Sequence, residues 1–373
     1  MPTPTDPATE TEPLYWEEQS HAYVITGYDL AASVLRDNSL WSSDPGNVLG
    51  AGLRSSTPYL RSAIVLRDPP DHTRMRSRMA PAFSSRVVER LRPRVAAIVD
   101  TALDGLESGD EADIIADIST VVPPSVIAEL FDIGVDGALL ILEQSPRLVR
   151  WMELRPTPAD IQSTIDAEAA LAAFLTPILQ ARRTEPGDDF LSALVAAEGL
   201  SIDEVLTTCF IILAAGGEST GKLIGNATLA ILREPEQIPA LLADPARAVE
   251  ELLRMQGTSK RLIRIAPEDR KIAGHVVPKG HIVYIDVLAA NQDLRRAADA
   301  DRMDLSREPL GHITMGVGPH YCLGAGLARV IASETLERLF TRFPKMRLLD
   351  PDPQWKPSTT FRALRALPVS LRG

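Results

Sequence analysis

A lone thiolate in a glycine-punctuated loop can be the single protein ligand of an iron, and Cys322 has that setting. It lies in Met315-Gly316-Val317-Gly318-Pro319-His320-Tyr321-Cys322-Leu323-Gly324, just ahead of a helix-forming stretch. Gly316, Gly318 and Gly324 allow tight turns and the close approach of a flat ligand. The helix expected from near Leu323 aims its first amides and its dipole back at the sulfur. That favours a thiolate and tunes a bound metal. The ordinary alternative is an inert buried thiol. The chain has only two cysteines, Cys209 and Cys322, and the nearby histidines lack zinc-site spacing. One sulfur ligand beside a gap for a planar cofactor points to haem.

Three further groupings could carry chemistry. Ala214-Ala215-Gly216-Gly217-Glu218-Ser219-Thr220 places an acid beside two hydroxyls after a run of small residues. The plain alternative to a chemical role is a helix bend with a polar cluster bonding back to its own backbone. Glu251 and Arg254, three apart, share one helix face and can pair, although that spacing is usually a solvated ion pair. His72 and Arg76, in Asp68-Pro69-Pro70-Asp71-His72-Thr73-Arg74-Met75-Arg76, lie four apart and share one helix face.

Together these stretches resemble the cytochrome P-450 superfamily in its soluble bacterial form. The loop matches the family's Phe-Gly-x-Gly-x-His-x-Cys-x-Gly with Met315 for the leading Phe. Residues 214–220 match Ala-Gly-x-Asp/Glu-Thr with Ser219 for the Thr, and Glu251-Leu252-Leu253-Arg254 matches Glu-x-x-Arg. The resemblance covers roughly residues 14–373. It implies haem b with Cys322 as the axial thiolate and metal ligand, flanked by Gly316 and Gly324. His72, Arg76, Arg264 and His320 would hold its carboxylates. Glu218, Ser219 and Thr220 would form the proton relay, and Arg302 would join the Glu251–Arg254 pair. The implied fold is mainly α with a smaller β-rich part, the haem lying between the long central helix and the helix of the Cys loop.

The elements that must position these residues are legible in outline. Ala22–Thr26 reads as a strand, Leu30–Arg36 as a short helix, and residues 42–58 as loop. Apolar spacing predicts helices over Arg86–Leu106, Ser163–Arg183 and Pro235–Leu242. Ser201-Ile202-Asp203-Glu204 is a capping box. It opens the longest helix, to about Arg233, apolar on most sides and so buried. A β-rich insert is expected over Lys271–Asp286, with Ile272–Val277 and His281–Ile285 joined by a turn at Pro278-Lys279-Gly280. A last helix is expected over Ala325–Arg342. Residues 1–13 read as a flexible arm and 14–373 as a single domain.

Bulk properties narrow the class. A net charge of −11 argues against a general nucleic-acid binder. No run of 18 apolar residues suggests a membrane span, and two cysteines cannot build a disulfide framework. The expectation is a cytoplasmic monomer. The resemblance implies a monooxygenase of secondary metabolism that takes electrons from a ferredoxin-type donor. That donor would dock on Arg74, Arg78 and Arg329, and the substrate would be a medium-sized lipophilic molecule. Its pocket walls would be Asn47–Leu66, Trp151–Ile161, Phe210–Ser219, Leu262, Ile263, Thr359 and Thr360, with Thr258 nearby. Two alternatives stay open: peroxide-driven or radical-coupling oxidation on the same fold, and a haem-binding carrier or sensor.

Overall fold

The structure, a computed structural model, describes residues 12–48, 57–153 and 156–372. Helices dominate, and a four-stranded sheet stands to one side. Leu14–Glu17 pairs antiparallel with Ala22–Ile25, which runs parallel to Ile282–Asp286, which pairs antiparallel with Arg261–Ile265. Leu14, Ile25, Val283 and Ile285 point from this sheet into one hydrophobic cluster, with Leu35 and Ile313. The larger cluster, containing Phe131, Phe210 and Phe340, lies among the helices. Of the expected arm, Glu12 and Pro13 are described. Their carbonyls accept hydrogen bonds from Thr26 and Gly27.

The central helix begins at the capping box read from the sequence. Ser201 Oγ accepts from the Glu204 amide, and the Glu204 carboxylate accepts from the Ser201 amide. It runs as α-helix over Ile202–Ile212, widens to a π turn over Leu213–Gly217, and resumes as Glu218–Arg233. The interruption makes Pro158–Thr184 the longest unbroken α-helix among the described residues. Inserted turns of this type recur at functional sites. Beyond the bulge the helix packs backbone to backbone. A Cβ on Gly221 would come within 2.0 Å of the Ser119 carbonyl oxygen. Gly221→Ala should therefore destabilise the protein by about 1–3 kcal/mol or more, read as a lower denaturant midpoint.

The β-rich insert differs from expectation. Ile272–Val277 is a tight hairpin: Arg270–Ile272 pairs with His275–Val277 through a turn at Ala273 and Gly274, both with positive φ. Pro278-Lys279-Gly280 instead links this hairpin to the four-stranded sheet. A two-residue turn ending in glycine matches the twist of its strands, and Gly274 is the signal that marks it. The last helix spans Ala325–Arg342 and packs against Ser85–Asp104, Pro245–Gln256 and the central helix.

Candidate active site

The Cys loop is closed by its own backbone. The Cys322 amide donates to the Met315 carbonyl at 2.7 Å, and the Tyr321 amide to the Gly318 carbonyl at 2.9 Å. Gly316 and Gly318 both take positive φ. At Gly318 a Cβ would lie 2.7 Å from Cα of Arg36, so the loop passes the first helix only as glycine. Burial pushes the Cys322 thiol above its usual range, while the Gly324 amide, Arg76 and Arg329 pull the other way. A half-buried sulfur with an amide aimed at it is set up to become a thiolate once a cation binds it. Cys209 is fully buried among apolar residues of the central helix, and burial pushes its thiol up as well.

Next to this loop, three elements bring cationic and polar groups together. His72 and Arg76 come from the helix Asp71–Met79, Arg264 from the strand Arg261–Ile265, and His320 from the 3-10 turn Gly318–His320. The His72 and His320 rings lie 4.1 Å apart between centroids. Both ring nitrogens of His72, Nε2 of His320 and Nε of Arg264 are buried without a hydrogen-bond partner. Burial, followed by the neighbouring arginines, holds His72 below its ordinary pKa. His320 falls to about 3 by burial first, then by Arg264, His72 and Arg76. Burial brings even Arg264 down to about 10. The nearest offsetting charge, Asp68, is already bonded to Ser42 and to the Ser43 amide. Leaving such donors buried and unmatched costs on the order of 1–3 kcal/mol each. Such unmatched donors would suit a group carrying carboxylates.

The acid–alcohol group opens the α-helix directly after the π turn. Ser219 Oγ donates to the Ala215 carbonyl, one turn back inside the widened segment. Thr220 is buried, and Glu218 pairs with Lys222 at 3.0 Å. Sequence reasoning passed over Lys222, although its spacing of four from Glu218 was visible. It also passed over Glu168. This fully buried carboxylate on Pro158–Thr184 accepts the Leu60 amide at 2.7 Å and the Tyr59 amide at 3.3 Å. It ties the loop after the described gap to the helix behind it.

The Glu251–Arg254 pair is buried and bidentate, with both contacts at 2.7 Å. Arg302 enters differently from expectation. Its side chain is exposed, and only its carbonyl takes part, accepting from Arg254 at 3.1 Å. The second cation at Glu251 is Arg307, at 3.4 Å and mostly buried. The stretch around Arg302 has no regular period to fix which way a side chain points, and the turn there directs position 307 inward instead.

The arginines considered for docking are unequal. Arg74 is paired with Glu204, and Arg329 with Glu250 and the Tyr321 hydroxyl, while Arg78 is exposed. Among the pocket walls, residues 49–56 and 154–155 lie outside the described residues. Two of the walls meet: the Glu153 carboxylate accepts from the Thr359 amide at 2.8 Å and from Ser358 and Thr359 hydroxyls, and Thr360 donates to the Met152 carbonyl at 2.8 Å. Thr258 is buried, and its carbonyl accepts from the Arg362 amide at 2.7 Å. No helix among the described residues is long and apolar enough to cross a membrane.

Comparison with known proteins places these features in context. Residues 246–364 match the family model described as Cytochrome P450. The chain is 37% identical to Cytochrome P450 107B1 of Saccharopolyspora erythraea, over 84% of this chain and 78% of that protein. It is 34% identical to 6-deoxyerythronolide B hydroxylase of the same organism, over 94% and 91%. Among solved structures, the Bacillus subtilis bacillaene polyketide synthase cytochrome P450 PksS superposes with a TM-score of 0.89 at 31% identity, covering 98% of this chain and 95% of that one.

Proposed function

We propose that this chain, which belongs to the cytochrome P450 family, is a monooxygenase of secondary metabolism that inserts one oxygen atom from O₂ into a medium-sized lipophilic molecule. Membership makes it an iron-dependent oxidoreductase whose cofactor is haem held by a cysteine thiolate. Bound haem supplies an iron whose thiolate ligand pushes electron density toward O–O cleavage. Every other task falls to the chain. Cys322 gives the sulfur, and the Gly324 amide steadies its charge. His72, Arg76, Arg264 and His320 bind the carboxylates. The observation that carries the reading is that both ring nitrogens of His72, Nε2 of His320 and Nε of Arg264 are buried without hydrogen-bond partners beside the half-buried Cys322 thiol.

Glu218 and Ser219 pass protons inward from the first turn of the helix that follows the π turn. Ser219 keeps its hydroxyl on the Ala215 carbonyl. Lacking the methyl of a threonine, it reorients more freely. The substrate sits against the apolar face of Phe210–Ser219 and against Leu262 and Ile263. The relatives include 6-deoxyerythronolide B hydroxylase and the polyketide biosynthesis cytochrome P450 PksS, so a polyketide is the substrate class to test first. The electron donor is a ferredoxin-type protein, with Arg78 as the exposed docking cation, and the setting is cytoplasmic.

Two measurements test the reading. Holoenzyme supplied with reductant, a ferredoxin and O₂ should hydroxylate a member of a polyketide panel, and peroxide alone should do so far less well. Product formed equally well from peroxide would move the assignment to the peroxide-driven alternative. Glu218→Gln should slow product formation by about 100-fold while leaving the substrate-induced absorbance shift in place. An unchanged rate in that variant would remove Glu218 from the relay.

A further inference from the structure

Glu218 does not stand alone on its helix face. Its carboxylate is clamped by Lys222 at 3.0 Å, one turn on. The Lys222 ammonium lies over the Phe361 ring at 4.4 Å. Its side chain is 12% exposed, and burial holds its pKa below the usual lysine value against the pull of Glu218. Both residues line a chamber of about 20 Å³, which also meets Ser119, Thr120, Lys356 and Leu364. That volume holds roughly one water molecule. Lys356 is exposed, whereas Ser119 is buried with no partner for its hydroxyl. The chamber thus joins a charged surface residue to an unsatisfied interior hydroxyl, with the Glu218–Lys222 pair at its wall. Ser219 follows Glu218 on the helix, about 100° around it.

We propose that Lys222 is a positioning residue for the Glu218 carboxylate, holding it at the wall of this chamber so that protons from the surface reach Ser219. The proposal rests on the monooxygenase reading. Insertion uses two electrons and two protons per O₂, giving one hydroxylated product and one water. If protons arrive out of order, the same two electrons and two protons leave as hydrogen peroxide. A carboxylate without its lysine turns freely toward solvent, and its proton no longer arrives at a fixed place.

The test uses holoenzyme carrying Lys222→Met, Lys222→Arg, Glu218→Gln and the Glu218→Gln/Lys222→Met pair. The first readout is independent of turnover. In protein labelled with ¹³C at the lysine ε-carbon, the Lys222 resonance is assigned by its loss in Lys222→Met. Its titration should fall by about one pH unit or more in Glu218→Gln, because a charge partner is gone. The second is the ratio of product to peroxide. It should drop about tenfold in Lys222→Met, recover in Lys222→Arg, and fall no further in the double variant, as expected of residues acting as one unit. A Lys222 titration unmoved by Glu218→Gln overturns the proposal, and so does a ratio that Met and Arg change alike. If wild-type holoenzyme reduces normally yet yields neither product nor peroxide, the monooxygenase reading fails instead, and the titration still reports on the pair.

Discussion

Cys322→Ala should remove the thiolate signature from the reduced carbon monoxide difference spectrum and lower O₂-dependent turnover by about 10³-fold or more, at least about 4 kcal/mol of barrier. The size follows from what the sulfur contributes. No neighbouring side chain replaces it: His320, two residues away, offers at most a neutral imidazole, which lacks the negative charge and electron push of a thiolate. A serine would keep the volume, but its hydroxyl ionises far less readily than a thiol. Cys322→Ser should therefore behave like the alanine variant. The fold should survive, because the loop is closed by backbone bonds: Cys322 amide to Met315, Tyr321 amide to Gly318, and Gly316 amide to Ile313 at 2.8 Å. None of these needs the sulfur. Loss of the spectral band with an unchanged far-ultraviolet circular dichroism spectrum is the expected pair of results. Survival of the band in Cys322→Ala would overturn the assignment of the ligand.

The sequence was most informative where geometry is local. The capping box at Ser201 and Glu204, the start of the last helix after Gly324, and the turns at Gly316 and Gly318 all follow from a few adjacent residues. The π turn was half legible. Gly216-Gly217 and the small residues before them loosen a helix, but nothing local decides that it gains a residue per turn rather than bending. Long-range facts were not derivable from spacing at all. That the His72 ring lies beside that of His320 depends on how a helix and a loop from distant parts of the chain meet. Only resemblance to a family could suggest it beforehand. Arg302 and Arg307 mark the boundary between the two cases. Both lie in an irregular segment where no period assigns a face, so the motif pointed to one arginine and the structure turns in the other.

Arg254→Lys should cost about 3–5 kcal/mol of stability, a large part of what a typical domain has, and should lower the haem-to-protein ratio with it. Arg254 is 1% exposed. Its guanidinium pairs with both oxygens of Glu251 and also donates to the carbonyls of Asn291, Ala300 and Arg302. A lysine has one nitrogen and cannot reproduce a planar fork on one side and three carbonyls on the other. What remains would be a buried carboxylate, held by the Asp304 amide at 3.1 Å and by Arg307, facing carbonyls without donors. A buried ion pair need not stabilise a protein better than apolar residues would, but removing one member strands the other. The consequence reaches the Cys loop by a short path. Asn291, whose carbonyl Arg254 holds, accepts from the Ile313 amide at 2.8 Å and donates to Thr314 at 2.8 Å. Thr314 in turn donates to the Leu253 carbonyl at 2.6 Å. Met315 and Gly316 follow directly. The helix Pro245–Gln256 and the start of the Cys loop are therefore one hydrogen-bonded unit, with Arg254 at its base. Glu251→Gln should act in the same direction. The two central substitutions separate cleanly: Cys322→Ala loses the ligand and keeps the fold, whereas Arg254→Lys loses stability and haem together. An Arg254→Lys protein that melts like wild type and carries full haem would show that this cluster does not hold the loop.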